Sequence, residues 1–119
     1  MKRSFLLFVF LCYVLVTSAH PPKKIVLNTD LKNKSLSINI VHPVKDSEKH
    51  FISDVKVSLN GQLIEEKKFT KQSTTTNEII SMTIDEMKEG DKIEVECVCN
   101  KAGRKKASVV VKSYYTQSK

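Results

Sequence analysis

Apolar side chains recur at every second position in one short stretch after another of this 119-residue chain. In SLSINIV, residues 35–41, Leu36, Ile38 and Ile40 alternate with Ser35, Ser37 and Asn39. Successive side chains of an extended strand point to opposite faces, so a period of two is that of a half-buried strand. Val55, Val57 and Leu59 repeat the pattern. So do Ile80, Met82 and Ile84, then Ile93, Val95, Cys97 and Cys99, and finally Val109 and Val111. Asn60-Gly61 separates the third run from a returning strand over about Gln62 to Phe69. Both central positions of a type I′ turn need positive φ, which is why Asn-Gly marks a tight hairpin. KQSTTTN at 71–77 reads as a polar loop or irregular edge, and DEMKEGD as a turn closed by Gly90, with one helical turn at most. With KIVLN near the start, about seven short strands emerge at the spacing of two stacked sheets. The predicted fold is all-β, an immunoglobulin-like β-sandwich whose last strand runs to about Tyr115.

Residues 1–19 read as something other than fold. Lys2 and Arg3 precede an almost unbroken apolar run from Phe5 to Val16, and Thr17 and Ala19 are small residues at the −3 and −1 positions of a cleavage site. The run is short for a bilayer span, and no second one follows. The reading is a secretory signal peptide cut after Ala19, which leaves residues 20–119 as one secreted or periplasmic domain without a membrane span. An uncleaved anchor is the alternative. Losing Lys2 and Arg3 leaves 18 of the 20 basic side chains against 13 acidic ones, so the net charge falls from +7 to +5. Lys and Glu are mixed along the strands, as on a solvated surface. Nucleic-acid binding wants a basic stripe interleaved with aromatics, and none is present. The densest basic run is NKAGRKK at 100–106. Its Lys101, Arg104, Lys105 and Lys106 either steer a small anion or simply keep a hairpin tip soluble.

The chemistry sits in few residues. Of three cysteines, Cys12 leaves with the signal peptide. Cys97 and Cys99 share a strand face with one residue between them, so a disulfide joining them would be strained. A secreted domain stapled by disulfides also carries more cysteines at wider spacings. Of three histidines, His42 and His50 flank the loop in VHPVKDSEKHF. His42 closes the inward series of Leu36, Ile38 and Ile40, and Cys99 closes the series begun by Ile93. A sandwich gathers strand ends at its two poles, where these three side chains are expected to meet. Imidazole with thiolate suits iron, copper or zinc and argues against calcium or magnesium. Cys97 is expected to be a core thiol or an auxiliary soft ligand.

LSINIVHPVKDSEKHFISDVKVSLNG followed by EGDKIEVECVCNKAG resembles the iron-binding domain of superoxide reductases, the neelaredoxin and desulfoferrodoxin family, over roughly residues 24–112. In that family a ferrous ion, held by four equatorial histidines and one axial cysteine, reduces superoxide to hydrogen peroxide at its open position. The resemblance makes His42 and His50 equatorial ligands and Cys99 the axial thiolate, with iron as the cofactor and superoxide or a redox protein as partner. Three features depart from the pattern. Ala102 stands where the Cys-Asn-x-His-Gly frame has its histidine, the family's Glu-Lys-His segment has no counterpart, and the loop between His42 and His50 is longer than usual. His20, in HPPKKIV, lies near the place of the family's first histidine. As a mature N-terminus it would add an imidazole and an amine of the kind copper favours. Three or four ligands suit zinc or copper(I) as well as iron. The expectation is a metal-binding protein, able to form homo-oligomers, with weak or lost superoxide reduction. The alternative is a non-enzymatic sandwich resembling the small carrier-complex subunit of the thiosulfate-oxidising system, which shows His-Pro, His-Phe-Ile and Asn-Gly in the same order.

Overall fold

The computed structural model describes residues 21–113, 116 and 117, so the signal-peptide segment and His20 lie outside the described residues. Seven strands form where the alternation places them: β1 Lys24–Asp30, β2 Ser35–Val41, β3 Ile52–Leu59, β4 Gln62–Lys68, β5 Asn77–Thr83, β6 Lys92–Cys99 and β7 Arg104–Val110. A two-residue β8, Thr116–Gln117, adds a short eighth pairing. One sheet has the order β5-β2-β1-β8 and the other β4-β3-β6-β7, with antiparallel pairing throughout. Among the described residues no helix is long and apolar enough to cross a membrane. The fold is the predicted β-sandwich.

Its core is the set of side chains the alternation points inward. Leu36, Ile38 and Ile40 of β2 face Val55 and Val57 of β3 and Ile93 and Val95 of β6, all essentially without exposure. Burying each such side chain is worth roughly 1.5–3 kcal/mol. Asn60 and Gly61 both take positive φ, 51° and 85°, as the hairpin turn requires.

Three details differ from the simple alternation. Ile52 pairs with Cys99 and Asp54 with Val98, so Ser53 is an extra residue, a bulge in β3. A bulge shifts strand parity by one, which turns Ile52 inward to full burial, whereas counting back from Val55 would have sent it to solvent. Second, β3 opens at Ile52, and Phe51 pairs with Asn100 outside the ladder. Third, β7 stops at Val110. Val111 N–H donates to Asp91 O and Gly90 N–H to Val111 O, both at 2.8 Å, which ties the chain to the 88–91 turn and ends the ladder. Tyr114 and Tyr115 lie outside the described residues.

Direction fixes which segments share a pole. β2 and β6 end, and β1, β3, β5 and β7 begin, at the same end of the sandwich. The loops 42–51, 69–76 and 100–103 therefore converge there together with Pro21. The opposite pole is held by a polar clasp. Asn60 Nδ2 donates to Asp91 Oδ1 (2.9 Å) and Lys88 N–H to Asp91 Oδ2 (2.8 Å).

Those two hydrogen bonds, the one from Asn60 first, hold the Asp91 carboxyl below its ordinary value of 3.8. A depressed folded-state pKa means the ionised carboxylate contributes stability above the unfolded value and loses it as pH falls through the folded one. Asp91→Asn should therefore flatten the fall of the urea midpoint below pH ~4. An acid limb as steep as that of the wild type would contradict the clasp.

Candidate metal centre

At the pole where β2 and β6 end, the structure brings His42, His50 and Cys99 together, with one donor atom from each lying within 4.8 Å of the others. The three arrive by different routes. His42 follows β2 in the first sheet, His50 precedes β3 in the second, and Cys99 is the last residue of β6 beside β3. Because β6 runs antiparallel to β3, its end lies where β3 begins, which brings Cys99 beside His50, 49 residues earlier in the chain.

Cys99 is buried at a tight corner. Its N–H donates to Gly103 O (3.0 Å), and Lys101 N–H points at its sulfur at 3.4 Å. His50 Nε2 lies 3.0 Å from that Sγ. Asn100 fixes the approach. Its N–H donates to Phe51 O (3.0 Å), its Oδ1 accepts from Phe51 N–H (2.9 Å), and its Nδ2 donates to Lys49 O (2.9 Å). His50 N–H closes a turn onto Asp46 O (2.9 Å), whose carboxylate accepts from Glu48 N–H (2.9 Å). The residue after the cysteine is thus the clamp that holds the histidine's backbone against it.

His42 is 2% exposed, and its ring meets that of His50 edge-on, with centroids 4.8 Å apart and planes at 89°. Its N–H donates to Thr76 O (2.9 Å), and its Nδ1 lies 2.7 Å from Gln72 Oε1. Gln72 was invisible in the sequence, since a buried glutamine and a solvated one look alike in KQSTTTN. Beside the cluster, Pro43, Val44, Lys45, Asp46, Lys49 and His50 line an open pocket of about 570 Å³. A small molecule reaching the three donors from solvent meets His50, the half-buried member, first.

The remaining candidates fall elsewhere. Cys97 is fully buried in the core, opposite Val55 of β3 and Lys105 of β7. Burial first, and the nearby Glu96 charge second, push its thiol up to about 12. Arg104 and Lys106 lie beside the β6 carboxylates, with Arg104 4.0 Å and Lys106 3.5 Å from Glu96, and Lys106 3.9 Å from Glu94. Lys101 and Lys105 are exposed. His20 lies outside the described residues, but its neighbour Pro21 packs against Gly103, where an added Cβ would stand 2.7 Å from Pro21 N. The chain therefore enters the fold beside the corner that carries Cys99. Ala102, at the frame's histidine position, is exposed and takes φ 141°.

No protein-family model and no curated protein matches the sequence. Among solved structures, superoxide reductase (1Fe-SOR) from Giardia intestinalis superposes with a TM-score of 0.54 at 15% identity, covering 78% of this chain and 98% of that one. The fold is that of a superoxide reductase. A neelaredoxin-type superoxide reductase from Ignicoccus hospitalis aligns with a TM-score of 0.46 at 12% identity, over 79% of this chain and 82% of its own.

The two cysteines of β6 should differ in what protects them. In native metal-free protein at pH ~8, a thiol reagent such as Ellman's should leave Cys97 unmodified until the chain unfolds, because a buried thiol of high pKa offers almost no thiolate. Rapid modification of Cys97 in the folded protein, located by peptide mass analysis, would contradict its placement.

Proposed function

We propose that this chain holds a transition metal ion in a superoxide-reductase-type centre, with iron as the first choice and zinc or copper as alternatives. The observation that carries this reading is the meeting of one thiol and two imidazoles at a single pole of a superoxide-reductase fold. The donor set fits the group. Sulfur at about 2.3 Å and imidazole nitrogen at about 2.1 Å from a common ion lie no more than roughly 4.5 Å apart, and the three donors, within 4.8 Å of one another, need only a small side-chain closure to reach that. Soft sulfur with borderline nitrogen selects iron, copper or zinc over calcium or magnesium.

In this reading Cys99 is the thiolate ligand, with Lys101 N–H directed at the sulfur and the Gly103 hydrogen bond holding the corner. His42 and His50 are the imidazole ligands. The docking of Pro21 on Gly103 supports His20 as a fourth, with its imidazole and, after cleavage behind Ala19, its amine. Iron held by these residues would supply one electron, which with two protons from solvent takes superoxide to hydrogen peroxide, and an external reductant, protein or small molecule, would have to return that electron. Lys45 and Lys49 place positive charge around the pocket at His50, the side from which a small anion would approach. Ala102 removes an imidazole from the family's frame. The reading therefore takes metal binding as retained and superoxide turnover as weak or lost, in a protein that acts outside the cytoplasm.

Loading the purified protein with ferrous iron under anaerobic conditions and then oxidising it should give a visible thiolate-to-ferric charge-transfer band, absent from Cys99→Ser. Ala102→His should tighten iron binding by about tenfold or more, as the family's frame implies. Protein that stays colourless and takes up no iron, copper or zinc at micromolar concentration would leave the non-enzymatic sandwich instead.

A further inference from the structure

Gln72 lies in the loop between β4 and β5, outside both sheets, yet it is 3% exposed, and both polar atoms of its side chain and its backbone N–H are engaged. Its Nε2 donates to His42 O at 2.8 Å and to Thr74 O at 2.9 Å. Its Oε1 accepts from Ile52 N–H at 3.3 Å and lies 2.7 Å from His42 Nδ1. Its own N–H donates to Ser47 O at 2.9 Å. The side chain thus joins the end of β2, the start of β3 and the loop that carries both histidines.

The orientation of this amide follows from its neighbours. Two carbonyl oxygens face one end, and an oxygen there would be repelled by both, so that end is the NH₂ group. The other end is then the oxygen, and an amide oxygen can only accept. A nitrogen 2.7 Å from it must carry a proton. His42 is therefore protonated on Nδ1 in the neutral ring, and the lone pair sits on Nε2.

We infer that Gln72 is a positioning residue that fixes the tautomer and the ring plane of His42 and so makes Nε2 the ligating atom. The metal half of this inference rests on the function proposed above, whereas the tautomer half does not. Ligating histidines generally donate their other ring N–H to an acceptor that sets their orientation, and removing that acceptor costs about 10- to 100-fold in metal affinity. Here the acceptor is an amide that also holds the backbone of the ligand. The His42 side of the site is thus held in place by protein hydrogen bonds.

Two variants separate the jobs of the amide. Gln72→Glu keeps an acceptor for His42 Nδ1–H but loses both donated hydrogen bonds. Gln72→Leu removes the acceptor as well. In metal-free wild-type protein at pH ~8, long-range nitrogen–proton correlation spectra should show His42 as the Nδ1–H tautomer. Gln72→Glu should keep it, and Gln72→Leu should give a mixture of tautomers. Zinc titrations should show affinity about 10- to 100-fold weaker for Gln72→Leu, with Gln72→Glu closer to wild type. Should Gln72→Leu unfold, the wild-type spectrum and Gln72→Glu still decide the tautomer. A wild-type His42 protonated on Nε2 overturns the inference, and so does unchanged zinc affinity in a folded Gln72→Leu. Wild-type protein with the Nδ1–H tautomer and no zinc binding overturns the metal reading while upholding the role of Gln72 in setting the tautomer.

Discussion

The pairing of β3 with β6 is the constraint on which the rest depends. Two strands from distant parts of the chain lie antiparallel with Ile52 opposite Cys99, so the end of one is brought to the beginning of the other. A slip of one residue would turn every side chain of a strand to the other face. Cys97 and Cys99 would then leave the core side, and Glu96 would enter it. The register is enforced from inside by Val55, Val57, Ile93 and Val95, none more than 1% exposed. It is enforced at the pole by the three hydrogen bonds of Asn100, each worth on the order of 1 kcal/mol. Hydrophobic burial sets the register coarsely, and Asn100 finishes the alignment where the chemistry is.

The same strand shows how position decides what a thiol can do. Cys97 and Cys99 point to the same face, yet Cys97 is opposed by a strand on each side and is held protonated by burial. Two residues later the ladder ends, and Cys99 meets an imidazole at 3.0 Å and a backbone N–H at 3.4 Å. Sulfur in the middle of the strand is core. At its end it is a donor atom with partners. Gln72, Asn100 and Thr76 orient the ligands at this pole through protein hydrogen bonds.

Much of this was legible in the sequence. Half-buried strands leave a period of two, so Leu36, Ile38 and Ile40, or Ile93 and Val95, announce both their strand and its inner face. Strands that alternate in direction put the residue after β2 and the last residue of β6 at a common pole, which is why His42 and Cys99 were expected to meet. What could not be read depends on single contacts across the fold. The bulge at Ser53 exists because Ile52 is better buried than exposed beside Cys99, which only the tertiary packing decides. The end of β7 at Val110 is set by hydrogen bonds to the 88–91 turn. Gln72 sits among serines and threonines in a loop whose composition says only that it is polar, and Asn100 looks like an ordinary turn residue until Phe51 is placed opposite it.

The central claim is that a thiol from β6 and two imidazoles from the loop between β2 and β3 share one ion. X-ray absorption spectroscopy of the iron- or zinc-loaded protein tests it most directly. The account predicts one sulfur neighbour at about 2.3 Å together with imidazole scattering from at least two histidines, and loss of the sulfur shell in Cys99→Ser. A first shell of nitrogen and oxygen alone, unchanged in Cys99→Ser, would contradict it.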